Sequence, residues 1–299
     1  MSAVLTPGQV AARPALRRPL LDKRGRQGAQ TGIVVVLVAG WLVITLGPYF
    51  VMLLTSLTPR AELIAPGASL FPESPSLDGY RDLFASTHFL TYLRNSAIVA
   101  GGTVVASLIC ASFAAIGLSR FRFRGRGTVL TALLVAQLFP AVLLVIPLQQ
   151  QLVAFGLLNN LVGLILIDTT FATPFATWLL KGFLDSIPSQ LDEAARIDGA
   201  TGLQLVRYVL FPLMRPGMTA AGTYIFIYSW NEFLYALTFT KTPDTHTVPV
   251  GLQLLIGEYQ IRWDLLTAGG VLAAIPVLVG FMLVQRNLID GLTAGAVKG

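Results

Sequence analysis

The chain has 299 residues, 54% of them hydrophobic and 12% charged, with a formal net charge of +6. Soluble domains carry about 25% charged residues, so half that share places this chain among membrane proteins rather than soluble ones; the mean hydropathy of +0.70 agrees. Lys and Arg collect in the cytoplasmic loops of membrane proteins, which accounts for the positive excess without a nucleic-acid partner. The single cysteine, Cys110, lies inside an apolar run, so neither a disulfide framework nor a Cys-based metal site is expected.

Residues 1–32 form a basic tail rich in Arg, Pro and Gly, with too little apolar periodicity to fold alone. Residues 33–57 carry no charge. That run is too long for a signal-peptide core and long enough to span a bilayer, so it reads as an uncleaved first span. A wetter stretch with four prolines follows, over 58–91, then a second span over 95–119. Arg120, Arg122, Arg124 and Arg126 come next, interleaved with Phe121 and Phe123. Residues 127–167 hold no charge, too many for one span and right for two joined by a turn at 156–160. The expected third and fourth spans are 128–148, where Pro140 and Pro147 allow kinks, and 160–180, polar along part of its length at Asp168-Thr169-Thr170, with Pro174 further on, and therefore broken. A polar segment over 181–215 precedes a fifth span at 217–240. A loop over 241–262, a sixth span over 265–284 and a short tail complete the chain.

Six spans put both termini on one side. With the termini inside, the inside segments hold 16 of the 21 basic residues. That asymmetry sets both termini and the 181–215 segment in the cytoplasm. The domains expected are a tail at 1–32, a six-helix domain at 33–286 with a loop at 185–215, and a tail at 287–299.

No P-loop, HExxH or GxSxG motif occurs, so neither ATP binding by a P-loop nor hydrolysis is expected of this chain. His88 and His246 fall in separate outside loops. Asp168 and Glu232 are the acids placed within spans. Intramembrane carboxylates face a cavity or a partner helix, so Asp168, Asn231 and Glu232 either line a hydrophilic path or bond neighbouring helices. An ion-coupled secondary transporter using Asp168 or Glu232 is the alternative function, although the first and last three spans show no inverted repeat.

The 181–215 segment is the informative one. Ser189 with Asp192 resembles a capping-box start, Ala194 and Ala195 leave one helix face shallow, and Gly199 suits a left-handed helix end. Thr201 and Gln204 form a second capping box, followed by an amphipathic helix ending at Pro212. Physics alone leaves open a passive connector lying on the membrane.

Glu193-Ala194-Ala195-Arg196-Ile197-Asp198-Gly199-Ala200, with Leu210-Phe211-Pro212 after it, resembles the EAA motif of ABC importer membrane subunits. Phe211 is a mild departure from the usual ending. Trp230-Asn231-Glu232-Phe233 looks like the sugar-importer permeases, and the ending from Gly291 to Gly299 resembles the maltose-type second permease subunit (MalG-like). The resemblance runs from about residue 33 to the end and implies an all-α integral membrane protein of six transmembrane helices, with the type I ABC importer (MetI-like) permease fold. It implies that Glu193, Ala194, Ala195, Asp198 and Gly199 dock on a cytoplasmic ATPase dimer, and that Gly291, Thr293, Gly295 and Lys298 make a second ATPase contact. ATP and Mg would sit in that partner, leaving this chain without a cofactor or metal. A second homologous permease subunit, an extracytoplasmic sugar-binding protein facing the 241–262 loop, a sugar of the maltose, maltodextrin or trehalose class and membrane lipid complete the implied partners. The implied location is the bacterial inner membrane.

Overall fold

A computed structural model describes residues 23–67, 69–257 and 260–296. Every named element among the described residues is helical. The chain divides into two compact units, Met1–Val51 and Met52–Gly299. The first holds most of α1 (Lys23–Ser56), whose stretch Gln30–Ser56 is long and apolar enough to cross a membrane. Tail residues 1–22 lie outside the described residues.

The second unit opens with two short helices, α2 (Arg60–Leu63) and α3 (Asp78–Ser86), which precede α4 (Phe89–Arg120). Helix α4 begins earlier than the expected second span, because His88 O accepts from Tyr92 N and Phe89 is buried against Leu83. Next come α5 (Arg126–Ala136) and α6 (Val145–Ala154), joined through a 3-10 turn at Ala141–Leu144 and bent by 92°. The third span is therefore not one kinked helix. Pro140 starts the 3-10 turn, whereas Pro147 sits harmlessly in the first turn of α6. The bend is tied to its neighbours in both directions: the Gln137 side chain at the end of α5 donates through Nε2 to Phe171 O of α7 at 2.8 Å, and Ala141 O of the turn accepts from the Tyr235 hydroxyl at 3.3 Å.

Helix α7 (Leu161–Asp185) starts where the sequence places it, behind a turn with Gly156 at φ 66 and Asn159 at φ 57. The Asn160 side chain caps it by accepting from Val162 N at 2.8 Å. The expected break in this span is absent, and α7 runs on through Pro174. The Thr170 and Thr173 hydroxyls bond back to Leu166 O and Thr169 O, and Asp168 points into a neighbouring helix, so the polar run costs α7 none of its continuity.

Helix α8 (Gln190–Ile197), α9 (Gly202–Gln204) and a π-helical turn (Leu205–Leu210) lead into α10 (Phe211–Trp230). Pro212 does not end a helix: the π-helical turn runs directly into α10, and Pro212 stands in the first turn of α10. The fifth span is also interrupted, because α10 stops at Trp230 and α11 (Leu234–Phe239) restarts after Asn231–Phe233. Helix α12 (Val248–Gln253) lies in the following loop, and α13 (Trp263–Ala296) closes the chain, running past the expected end of the sixth span.

Helices α4 and α7 form the central pair. Their facing positions are small: Ala111 and Ala115 on α4, Ala172 and Ala176 on α7, all fully buried. In lipid, such residues let backbones approach and gain van der Waals contact that water cannot drive. Gly102 permits the same approach, since a Cβ there would lie 2.6 Å from Ile165 Cδ1. Helix α10 packs on both, and α13 joins through Trp230 Nε1, which donates to Ala273 O at 3.1 Å.

Among the described residues, four helices qualify by length and apolarity as spans: Gln30–Ser56, Phe89–Arg120, Leu161–Asp185 and Trp263–Met282. The bent α5–α6 pair makes a fifth when taken together. Helix α10 is not among them, as it carries Arg215, Pro212, Pro216 and a series of hydroxyl side chains.

Gly163 sets a sharp test of this packing. A Cβ there would meet Leu157 O at 2.4 Å, and a backbone oxygen in a capped turn has little room to yield. Gly163→Ala is expected to destabilise the detergent-solubilised protein by about 1–3 kcal/mol, read as a lowered midpoint in thermal unfolding.

Candidate functional site

The segments expected outside collect at one end of the second unit. Asn95, fully buried near the start of α4, donates through Nδ2 to Asp244 O at 2.8 Å and His246 O at 2.9 Å. Ser96 Oγ accepts from Val248 N at 2.8 Å. Asn159 Oδ1, in the turn before α7, accepts from Lys241 N at 2.7 Å and from the Thr245 hydroxyl at 2.6 Å. Tyr92 stands between His88 and His246, with ring centroids 6.5 and 6.1 Å away. The loop after α11 is thus pinned to α4 and to the α6–α7 turn. The sequence placed Asn159 in a turn but gave Asn95 no role; an Asn opening an apolar run was the available signal, because a buried amide there needs partners.

Midway along the bundle, Asp168 is 1% exposed. Ser229 Oγ of α10 donates to Asp168 Oδ2 at 2.5 Å, and Thr103 Oγ1 of α4 lies 3.4 Å from Ser229 Oγ. One carboxylate and two hydroxyls therefore join α4, α7 and α10. Asn231 is exposed at the end of α10, and its Nδ2 donates to Ile227 O at 2.7 Å. Glu232 turns its carboxylate onto the next helix, Oε1 accepting from Tyr235 N at 2.8 Å and Oε2 from Ala236 N at 2.9 Å. Trp-Asn-Glu is therefore a helix break that satisfies its own backbone on both sides, which a membrane requires. The structure brings Asn231 and Glu232 together at this break and keeps Asp168 inside the three-helix joint.

The opposite end holds the Glu193–Ala200 stretch. Helix α8 is short and mostly outward-facing. Among its residues Asp192 is buried and Ala195 half-buried, while Glu193, Ala194 and Arg196 are exposed and Ile197 is 86% exposed. Ser189 does not cap it through its side chain. Asp192 instead turns inward to Arg120 at the end of α4, Nε to Oδ2 2.8 Å. Gly199 adopts φ 85, a conformation glycine takes without strain, and Ala200 N donates to Ala195 O at 2.9 Å to close the helix end. Thr201 and Gln204 form the reciprocal capping box read from the sequence. Of the carboxyl-terminal residues, Gly291, Thr293 and Gly295 lie on α13, and Lys298 falls outside the described residues.

Residues 89–292 match the family described as "Binding-protein-dependent transport system inner membrane component". The chain belongs to this family. It is a permease component of a bacterial inner-membrane ABC importer, a multi-pass, non-catalytic subunit whose ATPase is a separate protein, and the family carries no cofactor. The permease is 35% identical over 261 residues to the inner membrane ABC transporter permease protein YcjP of Escherichia coli strain K12, covering 87% of this chain and 93% of the relative. It is 36% identical over 258 residues to the sulfoquinovosyl glycerol transport system permease protein SmoH of Agrobacterium fabrum, covering 86% and 90%. The fold is also that of a solved bacterial ABC transporter involved in import of the acidic polysaccharide alginate, with TM-score 0.76, 25% identity, and coverage of 87% of this chain and 97% of that one. The fold class is accordingly the all-helical type I importer permease. Membership removes the ion-coupled secondary transporter, since the energy comes from a partner's ATP.

The joint at Asp168 depends on the Ser229 hydroxyl. Ser229→Ala strips its carboxylate of a hydroxyl donor in a place closed to water. It is expected to cost about 1–3 kcal/mol in thermal or denaturant unfolding of the purified permease, and Ser229→Thr, which keeps a hydroxyl, less.

Proposed function

We propose that this permease imports a sugar by alternating access, driven through α8 by an ATPase dimer. Carbohydrate cargo is supported by the relatives whose names specify sulfoquinovosyl glycerol and alginate, and by the sugar-type Trp230-Asn231-Glu232-Phe233 and the Gly291–Gly299 ending. The ending favours the maltose, maltodextrin and trehalose class. Six spans are proposed, the five candidates and the more polar α10, with both termini in the cytoplasm. Arg120, Arg122, Arg126 and Arg196 line one cleft beside α8, which supports that orientation.

One observation carries the coupling role: α8 leaves Glu193, Ala194 and Ile197 uncovered, next to a glycine that turns the chain back toward the bundle. Small residues on that face admit a close partner backbone, and the acid Glu193 offers a charge to it. Glu193, Ala194, Ala195, Asp198 and Gly199 are the proposed ATPase-docking residues, with Gly291, Thr293, Gly295 and Lys298 as a second contact. The pinned loop at the other end is the proposed landing surface for the binding protein, and a second permease subunit completes the path. Asn231 and Glu232, at the helix break, are the path residues; Asp168 holds the helices between which the path opens.

Gly199→Leu forces a branched side chain into left-handed backbone, at a cost of about 1–2 kcal/mol, and tilts α8. Sugar uptake in reconstituted vesicles is expected to fall at least tenfold, with less ATPase co-purifying. Uptake that survives on a proton gradient with no ATPase recovered would overturn the proposal. A panel of sugars titrated into the purified binding protein identifies the cargo.

A further inference from the structure

Helix α8 is a short rod between two turns. On one side Ser186–Ser189 joins it to α7, and on the other Gly199 and Ala200 join it to α9. A rod jointed at both ends swings when pushed, and a swinging rod absorbs motion instead of passing it on. Of its side chains, only Asp192 is buried and only Ala195 half-buried against the body of the protein. Whatever keeps α8 at a fixed angle must act largely through these two.

Asp192 is held by Arg120, the last residue of α4. Nε of Arg120 lies 2.8 Å from Asp192 Oδ2, with the two side chains only 11% and 10% exposed. The contact is an ion pair rather than a directed hydrogen bond, and Asp192 Oδ1 has no hydrogen-bond partner among the described residues. The same guanidinium donates through Nη2 to Ile187 O at 3.2 Å, inside the turn before α8. One residue earlier, Ser119 Oγ donates to Asp185 Oδ1 at 2.6 Å, and Lys181 Nζ sits 2.5 Å from Asp185 Oδ2. The end of α4 thus grips the end of α7, the turn and α8 together. Arg120 is separated from α8 by some seventy residues of chain, so no covalent neighbour supplies this link.

We infer that Arg120 and Asp192 form a brace that fixes the angle of α8 against the α4–α7 pair, so that displacement of α8 becomes displacement of the spans. They are positioning residues for coupling and need not touch the sugar or ATP. The inference rests on the proposed role of α8 as the ATPase-docking helix. A buried ion pair suits a brace because breaking it strands a charge out of water, which makes the closed geometry stiff as well as favourable.

Reconstituting the complete complex in vesicles, with the partner permease, ATPase and binding protein, tests the brace. Arg120→Ala and Asp192→Ala are expected to co-purify with the ATPase and to hydrolyse ATP at no less than half the unmodified rate, while sugar taken up per ATP falls at least fivefold. Arg120→Lys keeps the charge and is expected to recover at least half of that ratio. Spin labels at residues 190 and 113, in a Cys110→Ser background, give a second readout: the distance distribution is expected to broaden in Arg120→Ala and stay narrow in Arg120→Lys. An unchanged ratio in both alanine variants, loss of ATPase association with loss of uptake, or Arg120→Lys behaving as Arg120→Ala would each overturn the brace. An unmodified complex that recruits no ATPase defeats the importer proposal instead, and the label distances still decide the brace.

Discussion

The structure depends on how closely α4 and α7 approach. Two helices in lipid have no water to flee from, so they associate by fit and by polar contacts between them. Alanines at 111, 115, 172 and 176 and the bare backbone at Gly102 supply the fit. The approach then makes the polar contacts possible: Thr103, Asp168 and Ser229 meet only because the three backbones are near. The same closeness sets the end of α4 beside the end of α7, where Ser119 and Arg120 reach Asp185, Ile187 and Asp192. Both the mid-bundle joint and the grip on α8 follow from the small side chains along one seam.

Irregular backbone occurs where the protein has something to satisfy it. The α5–α6 bend is bonded by Gln137 and Tyr235, and the α10–α11 break by Asn231 and Glu232. These are two solutions to one problem. The first gives a side-chain donor to α7 and takes a hydroxyl from Tyr235, and the second carries its own partners. Breaks satisfied in this way are stable places for a span to change direction.

Legibility in the sequence followed the range of the forces. The Gly199 turn, the Thr201–Gln204 box and the turn before α7 are set by residues within a few positions of each other, and each was readable. The α7 break was expected from the local polarity of Asp168-Thr169-Thr170. It fails because Ser229, on another helix, answers the carboxylate. The depth of the α5–α6 bend was hidden for the same reason, since Phe171 and Tyr235 act from elsewhere. Asp192 looked like part of a local helix cap, and its true partner lies at the far end of α4. Arg120 looked like one more orientation charge among four, although as the first of them, placed on the last turn of a span, it was the one able to fold back.

The loop held by Asn95, Ser96 and Asn159 has a consequence for encounters at that end of the protein. A floppy loop must be frozen each time something binds, and that entropy is lost from the affinity. Here the freezing is done during folding, once, by the buried amide of Asn95, the buried hydroxyl of Ser96 and the side-chain oxygen of Asn159. A visitor to that surface therefore meets a finished template, and the strength of its hold reports its shape and charge rather than its ability to organise a chain.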